Sequence, residues 1–114
     1  MATKQSTVDY ILDQLSSLRD VAARKMFGEY ALYYGGKVVG LVCEDTLYIK
    51  ITDLGKKFVG KFYKEGPAYP GAKPSMIIDE ELIEDNGWLE ELVQITLDNL
   101  PPPKSKPKTK KKST

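Results

Sequence analysis

The stretch from Met26 to Thr52, MFGEYALYYGGKVVGLVCEDTLYIKIT, constrains the fold more than any other part of the chain. Three runs of β-branched, aromatic and aliphatic residues are separated by Gly35-Gly36 and Glu44-Asp45, the pattern of a three-stranded antiparallel meander. With Gly35-Gly36 as a two-residue hairpin loop, Tyr34 falls opposite Lys37, Tyr33 opposite Val38 and Leu32 opposite Val39. Opposed residues share a face of the sheet. An even loop at Glu44-Asp45 carries the register on, with Val42 opposite Leu47 and Gly40 opposite Ile49. One face then reads Ala31, Tyr33, Val38, Gly40, Val42, Leu47, Ile49 and Ile51, apolar enough to be the core. The other holds Tyr30, Leu32, Tyr34, Val39, Leu41, Cys43, Thr46, Tyr48 and Lys50, too aromatic for a simply solvated surface. Either another part of the chain covers it, or a partner or second copy does. Tyr30, Tyr34, Leu41, Tyr48 and Lys50 are therefore candidates for partner binding.

The flanking segments read as cover for this sheet. Ser6 followed by Asp9 has the form of a helix cap, and Val8, Ile11, Leu12, Leu15 and Leu18 make one helical stripe, predicting a helix from Thr7 to about Leu18. An extended approach then leads to Met26-Phe27. Thr52-Asp53 caps a second helix with Leu54, Phe58 and Phe62 as its buried positions, weakened by Gly55 and Gly60 at about 1 kcal/mol each. Lys57, Lys61 and Lys64 then form an exposed basic stripe beside Lys56. Glu65-Gly66-Pro67 ends that helix, Met76-Ile77-Ile78 is a further strand or edge, and Asp79 to Glu84 forms one turn. Asp85 or Asn86 caps a last helix with Trp88, Leu89, Leu92, Val93, Ile95, Leu97 and Leu100 on its apolar side. Pro101-Pro102-Pro103 stops it. The expected organisation is an α+β domain over residues 1–100, with an antiparallel meander sheet of about four strands packed by N-terminal and C-terminal helices. A disordered Pro/Lys-rich basic tail follows over 101–114.

Composition narrows the chemistry. A 114-residue chain can bury roughly two thirds of its unfolded surface, so no disulfide staple is required. The single cysteine, Cys43, fits a reducing compartment, and the absence of histidine excludes His-assisted triads and imidazole zinc sites. No apolar run is long enough for a signal peptide or a membrane span, which places the protein in the cytoplasm. Six lysines and no acid lie between residues 104 and 112. Residues 1–103 hold 17 − 6 = 11 basic side chains against 16 acidic ones, a net of −5. An acidic body thus carries a basic end.

Motifs for catalysis fail on inspection. Gly55 to Lys61 matches G-x-x-x-x-G-K, but Phe62 stands where a phosphate loop needs Ser or Thr. Glu80, Glu81, Glu84 and Asp85 are explained by the dipole of the helix they precede. No basic neighbour in sequence activates Cys43. No cofactor is indicated. The lysines are the better lead: Lys56, Lys57, Lys61 and Lys64, together with Lys104, Lys106, Lys108, Lys110, Lys111 and Lys112, are candidates for neutralising nucleic-acid phosphates without reading sequence.

Met26-Phe27-Gly28, then Tyr30, Leu32 and Tyr33, then Leu47-Tyr48-Ile49-Lys50 resemble the N-terminal domain of the TfoX family, also called Sxy. Lys25 stands where that family has Arg or Lys, and the similarity continues through Lys73-Pro74 and the Trp88 helix. The resemblance implies a non-enzymatic domain linked to competence genes and natural transformation, whose fuller members act with the cyclic-AMP receptor protein on promoters. Those members carry a second, helical domain where this chain has its proline and lysine tail. It brings no catalytic residues. The reading is a regulatory or adaptor domain that binds a protein partner, such as transcriptional machinery, or forms a homodimer, with weak nucleic-acid affinity from the tail and no membrane association. The alternative is a small ligand-binding protein or enzyme with a pocket between the loop Tyr69 to Pro74 and the sheet.

Overall fold

The computed structural model describes residues 3–26 and 28–100. In chain order it contains α1 (Gln5–Gln14), β1 (Val21–Met26), β2 (Glu29–Tyr34), β3 (Lys37–Cys43), β4 (Thr46–Ile49) and α2 (Asp53–Val59). After a 3-10 turn (Gly60–Phe62) come β5 (Glu65–Pro67), β6 (Pro74–Ile78), α3 (Glu80–Ile83) and α4 (Asn86–Asn99). The fold is α+β. Its sheet has six strands in the order β1-β2-β3-β4-β6-β5, every pair antiparallel, rather than about four.

Both added strands are edges, and edges need less apolar sequence because they pair on one side only. β1 carries Arg24 and Lys25, and β5 pairs Pro67 with Pro74, both features that discourage further strand addition. Their weak alternation explains why Val21–Met26 reads as an approach and Glu65–Pro67 as a helix stop. Met76–Ile78 lies inside the sheet, between β4 and β5.

The meander register holds at Tyr34↔Lys37 and Tyr33↔Val38 and then departs: Leu32 pairs with Gly40, not Val39. A bulge leaves Val39 as the extra residue, fully buried, and a bulge of one residue inverts the faces on one side of it. The predicted core face is thus half right. Gly40, Val42, Leu47 and Ile49 do face the helices with Met76 and Ile78. Tyr30 and Leu32 are core residues alongside them, whereas Ala31, Tyr33 and Val38 share the opposite face with Leu41 and Tyr48.

Helix α4 lies centrally on the covered face, burying Leu89, Leu92, Val93 and Thr96. Asp85 caps it, accepting from the Trp88 amide at 3.1 Å. Helix α2 packs beside it, with Thr52 capping through the Gly55 amide at 3.0 Å. Gly55 is required there: a Cβ would sit 2.8 Å from the Thr52 hydroxyl and 3.6 Å from Leu92. The expected buried positions of α2 are corrected. Val59 and Gly55 face the core, Phe58 stacks on Trp88 at 5.4 Å between centroids, and Leu54 and Phe62 are exposed. The helix breaks at Gly60, whose φ of 60° and ψ of −123° rotate Phe62 out of the stripe.

Helix α1 buries Val8, Ile11 and Leu15 as its periodicity predicts, but it begins at Gln5 and ends at Gln14, and Ser6 does not cap it. The cap comes from 41 residues away: Asp45 accepts from the Lys4 amide at 2.9 Å and the Thr7 hydroxyl at 2.9 Å. Glu44 and Asp45 both take positive φ in the β3–β4 turn, which aims that carboxylate at the helix start. The Lys4 amide first, then the Thr7 hydroxyl, hold the Asp45 carboxyl below its ordinary value. A depressed folded pKa means the contribution is present above the unfolded pKa and lost as pH falls through the folded one. Asp45→Asn, which keeps the turn conformation, is expected to lower the urea midpoint at neutral pH, with the gap to the natural chain narrowing below pH 3.8. Parallel urea titrations across pH would show it.

Candidate functional site

Three surfaces carry the residues of interest. The first is the lysine-rich surface of α2 and the turn after it. Lys56, Lys57, Lys61 and Lys64 are all exposed, but the break at Gly60 means that they do not form one continuous stripe. Lys56 Nζ sits 4.9 Å from the centroid of the Tyr63 ring and Lys61 Nζ 5.4 Å from that of Phe62, both within cation–π range. Lys64 is paired with Asp79 at 2.5 Å. Desolvation first, then the hydrogen bond to Glu65, push the Tyr63 phenol up to about 12. Leu54 and Phe62, exposed at 52% and 47%, add an apolar component that sequence periodicity assigned to the core. The glycine at 60 was the signal that could have released Phe62. Lys104, Lys106, Lys108, Lys110, Lys111 and Lys112 lie outside the described residues.

The second surface is the sheet face away from the helices. The candidates for partner binding divide here. Tyr30 and Tyr34 point to the helix side, donating hydrogen bonds to Gln5 of α1 at 2.9 Å and Gln94 of α4 at 2.5 Å. The bulge put them there, and their aromatic bulk and hydroxyls fix the two helices to the sheet. Leu41 and Tyr48 remain on the open face, and Lys50 is exposed just past the end of β4. They are joined by Tyr33, Val38 and Ile77, which register places on the same side. Leu41, Tyr48 and Ile77 form a row across three adjacent strands, each half-buried, and Arg24 caps the neighbouring Tyr33 at 5.4 Å.

The third is a cleft of about 480 Å³ between the Tyr69-Pro70 loop and one end of this open face. Met26, Leu41 and Cys43 form its floor, Tyr69 and Pro70 a wall, and Glu29, Tyr30 and Glu44 complete the lining. A pocket under this loop is what the alternative sequence reading expected. Glu29 is held in place by the Thr3 hydroxyl and by the Glu44 amide at 3.1 Å. Cys43 is buried, and burial first, then the Glu29 and Glu44 carboxylates, push its thiol above the ordinary value, the reverse of what a nucleophile requires. The same carboxylates, after burial and Cys43, raise the Tyr48 phenol.

A second cavity, about 610 Å³, opens between α1, the Asp45 turn, β6 and α3, with Tyr10, Asp79 and Glu80 at its mouth. Among the described residues no group of three or more Cys, Asp or Glu side chains is placed to hold a metal ion. Among them, too, no helix is long and apolar enough to cross a membrane.

The family model of the TfoX N-terminal domain matches residues 13–100, from the end of α1 through α4. A relative in Spirochaeta aurantia, described as an uncharacterized 12.7 kDa protein in the trpE 5′ region, is 39% identical over 111 residues, covering 96% of this chain and 95% of its own. Since the matched span takes in all six strands, the covering helix α4 and the open sheet face, the chain belongs to the TfoX N-terminal domain family.

Proposed function

We propose that this chain is a non-enzymatic regulatory or adaptor domain of the cytoplasm, of the kind found in competence regulators. It holds a protein partner on the open face of its sheet and adds weak, sequence-independent nucleic-acid contact through lysines. One observation carries the reading: Leu41, Tyr48 and Ile77 lie in one row across three strands, half-buried and, among the described residues, with no helix over them. Apolar rows of this kind are normally covered, and rimmed by Arg24 and Lys50 this one has the apolar centre and charged edge of a protein contact. Exposed Lys56, Lys57 and Lys61, the last beside the exposed Phe62 ring, supply phosphate-directed charge and an aromatic ring for a base to stack on.

The partner half of the reading is tested by cross-linking the chain to what it binds in cell extract, with and without Tyr48→Lys. A species held by the natural chain and lost by the variant supports it; equal capture contradicts it. The nucleic-acid half is tested by DNA and RNA titrations against salt, using the full chain and a version ending at Pro103. Contact by the six tail lysines predicts a log–log slope shallower by at most about 5 in the shorter chain, at roughly 0.9 per phosphate. An unchanged slope contradicts a role for the tail.

A further inference from the structure

Strand β1 is one edge of the sheet and pairs with β2 on one side only. In an antiparallel ladder successive residues turn their backbone groups alternately toward the partner strand and away from it. The Gly35 amide donates to the Asp20 carbonyl at 3.4 Å, which fixes the phase: Ala22, Arg24 and Met26 bond to β2, whereas Val21, Ala23 and Lys25 turn their N–H and C=O groups outward. Among the described residues no hydrogen bond from another element reaches those outward groups. Arg24 and Lys25 are exposed on this strand, on opposite faces, and Arg19 is exposed just before it. We propose that the β1 edge takes up an extended segment of a partner protein as a further strand, a segment with two adjacent acidic residues among β-branched ones.

Register and charge set the chemistry of such a segment. Main-chain hydrogen bonds give the affinity in strand addition, and side chains give the choice. Neighbouring strands lie about 4.8 Å apart, so an added one meets Arg24 and Lys25 directly and the acid Glu29, on β2, only at about twice that distance. Glu29 is moreover bonded to the Thr3 hydroxyl and the Glu44 amide. Asp20, at the start of the strand, has Arg19 beside it in sequence to balance it. Consecutive strand residues point to opposite faces, so an acid opposite Arg24 and its chain neighbour opposite Lys25 make a matched pair. The small side chains of Ala22 and Ala23 leave room beside them for β-branched residues. A second copy of β1 would bring like charges together, and in that way the same two residues guard the edge against self-pairing. The chain's own end is opposed on the same ground: residues 101–114 carry six lysines and no acidic side chain, and Met1, Ala2 and Phe27 add none. The open-face reading is not required, because this edge consists of backbone groups, Arg24 and Lys25 rather than the Leu41, Tyr48 and Ile77 row.

Amide NMR titration of the full chain at neutral pH tests this with two end-blocked peptides: threonine-valine-threonine-glutamate-glutamate-valine-threonine, and the same peptide with lysines in place of the glutamates. The glutamate peptide is expected to bind saturably and about tenfold tighter than the lysine one. It is expected to move the amide signals of Val21, Ala23 and Lys25 downfield and slow their exchange, with smaller changes at Ala22, Arg24 and Met26. Arg24→Glu combined with Lys25→Glu is expected to reverse the preference between the peptides. Ala23→Pro, which removes an outward N–H and none of the bonds to β2, is expected to keep the fold and weaken the glutamate peptide about tenfold or more. Tyr48→Lys is expected to leave that peptide's binding unchanged, which separates this edge from docking on the open face. Equal binding of the two peptides would overturn the charge assignment. Shifts confined to the lysines between 104 and 112, loss of binding in Tyr48→Lys, or outward β1 amides already protected in a chain that sediments as a dimer would overturn the site.

Discussion

Replacing Gly40 by alanine is expected to unfold the protein or leave it barely stable, a loss of about 3 kcal/mol or more. A Cβ at that position would lie 2.2 Å from the Tyr48 carbonyl oxygen, 3.1 Å from Ile49 Cδ1 and 3.3 Å from Ile49 Cα. Two of those three atoms are backbone, in the adjacent strand that Gly40 pairs with, and β4 cannot withdraw without breaking its ladders to β3 and β6. Val39 beside it is the bulged residue, so the glycine allows the strand to turn and the neighbouring backbone to approach. Urea unfolding followed by circular dichroism would measure the loss. Gly36→Ala is a useful contrast: its Cβ meets nothing within 4 Å, and only the positive φ of 82° is strained.

The second large effect is expected from Leu47→Lys. Leu47 is completely buried among the residues between sheet and helices, so an ammonium there must either lose its hydration or force the core open. The expected loss is about 4 kcal/mol or more, enough to leave most molecules unfolded in a domain of ordinary stability. The next residue behaves differently. Tyr48 points to the other face and is half-exposed, so the same lysine there is expected to cost within about 1 kcal/mol.

These two neighbours also show what the sequence made legible and what it did not. The helical stripe Val8, Ile11, Leu15 and the cap regions Thr52-Asp53 and Asp85-Asn86 could be read from the sequence, because each rests on local spacing, and the structure picks Thr52 and Asp85 as the capping side chains. The pairing of β3 with β4 could be read too, since a two-residue loop sets it locally. What failed depended on contacts distant in sequence. The α1 cap is a carboxylate 41 residues downstream, and nothing near Ser6 could announce it. The bulge at Val39 moved Tyr30 and Leu32 into the core and Tyr33 out of it, reversing the faces of β2. Here a signal existed: an isolated glycine within a strand pattern marks a bulge, and Gly40 follows Val38-Val39. Of the sheet-face residues singled out from the sequence, Leu41 and Tyr48 come together, while Tyr30 and Tyr34 secure the helices instead.

One face of the sheet builds the fold, and the proposed function requires the other to be free to dock. Sedimentation and urea unfolding of Tyr48→Lys beside Leu47→Lys test that most directly. The prediction is that Tyr48→Lys unfolds at nearly the natural midpoint and loses association with its partner or second copy, whereas Leu47→Lys does not fold. A Tyr48→Lys chain that unfolds as readily as Leu47→Lys would contradict it, because the face assigned to docking would then be part of the core.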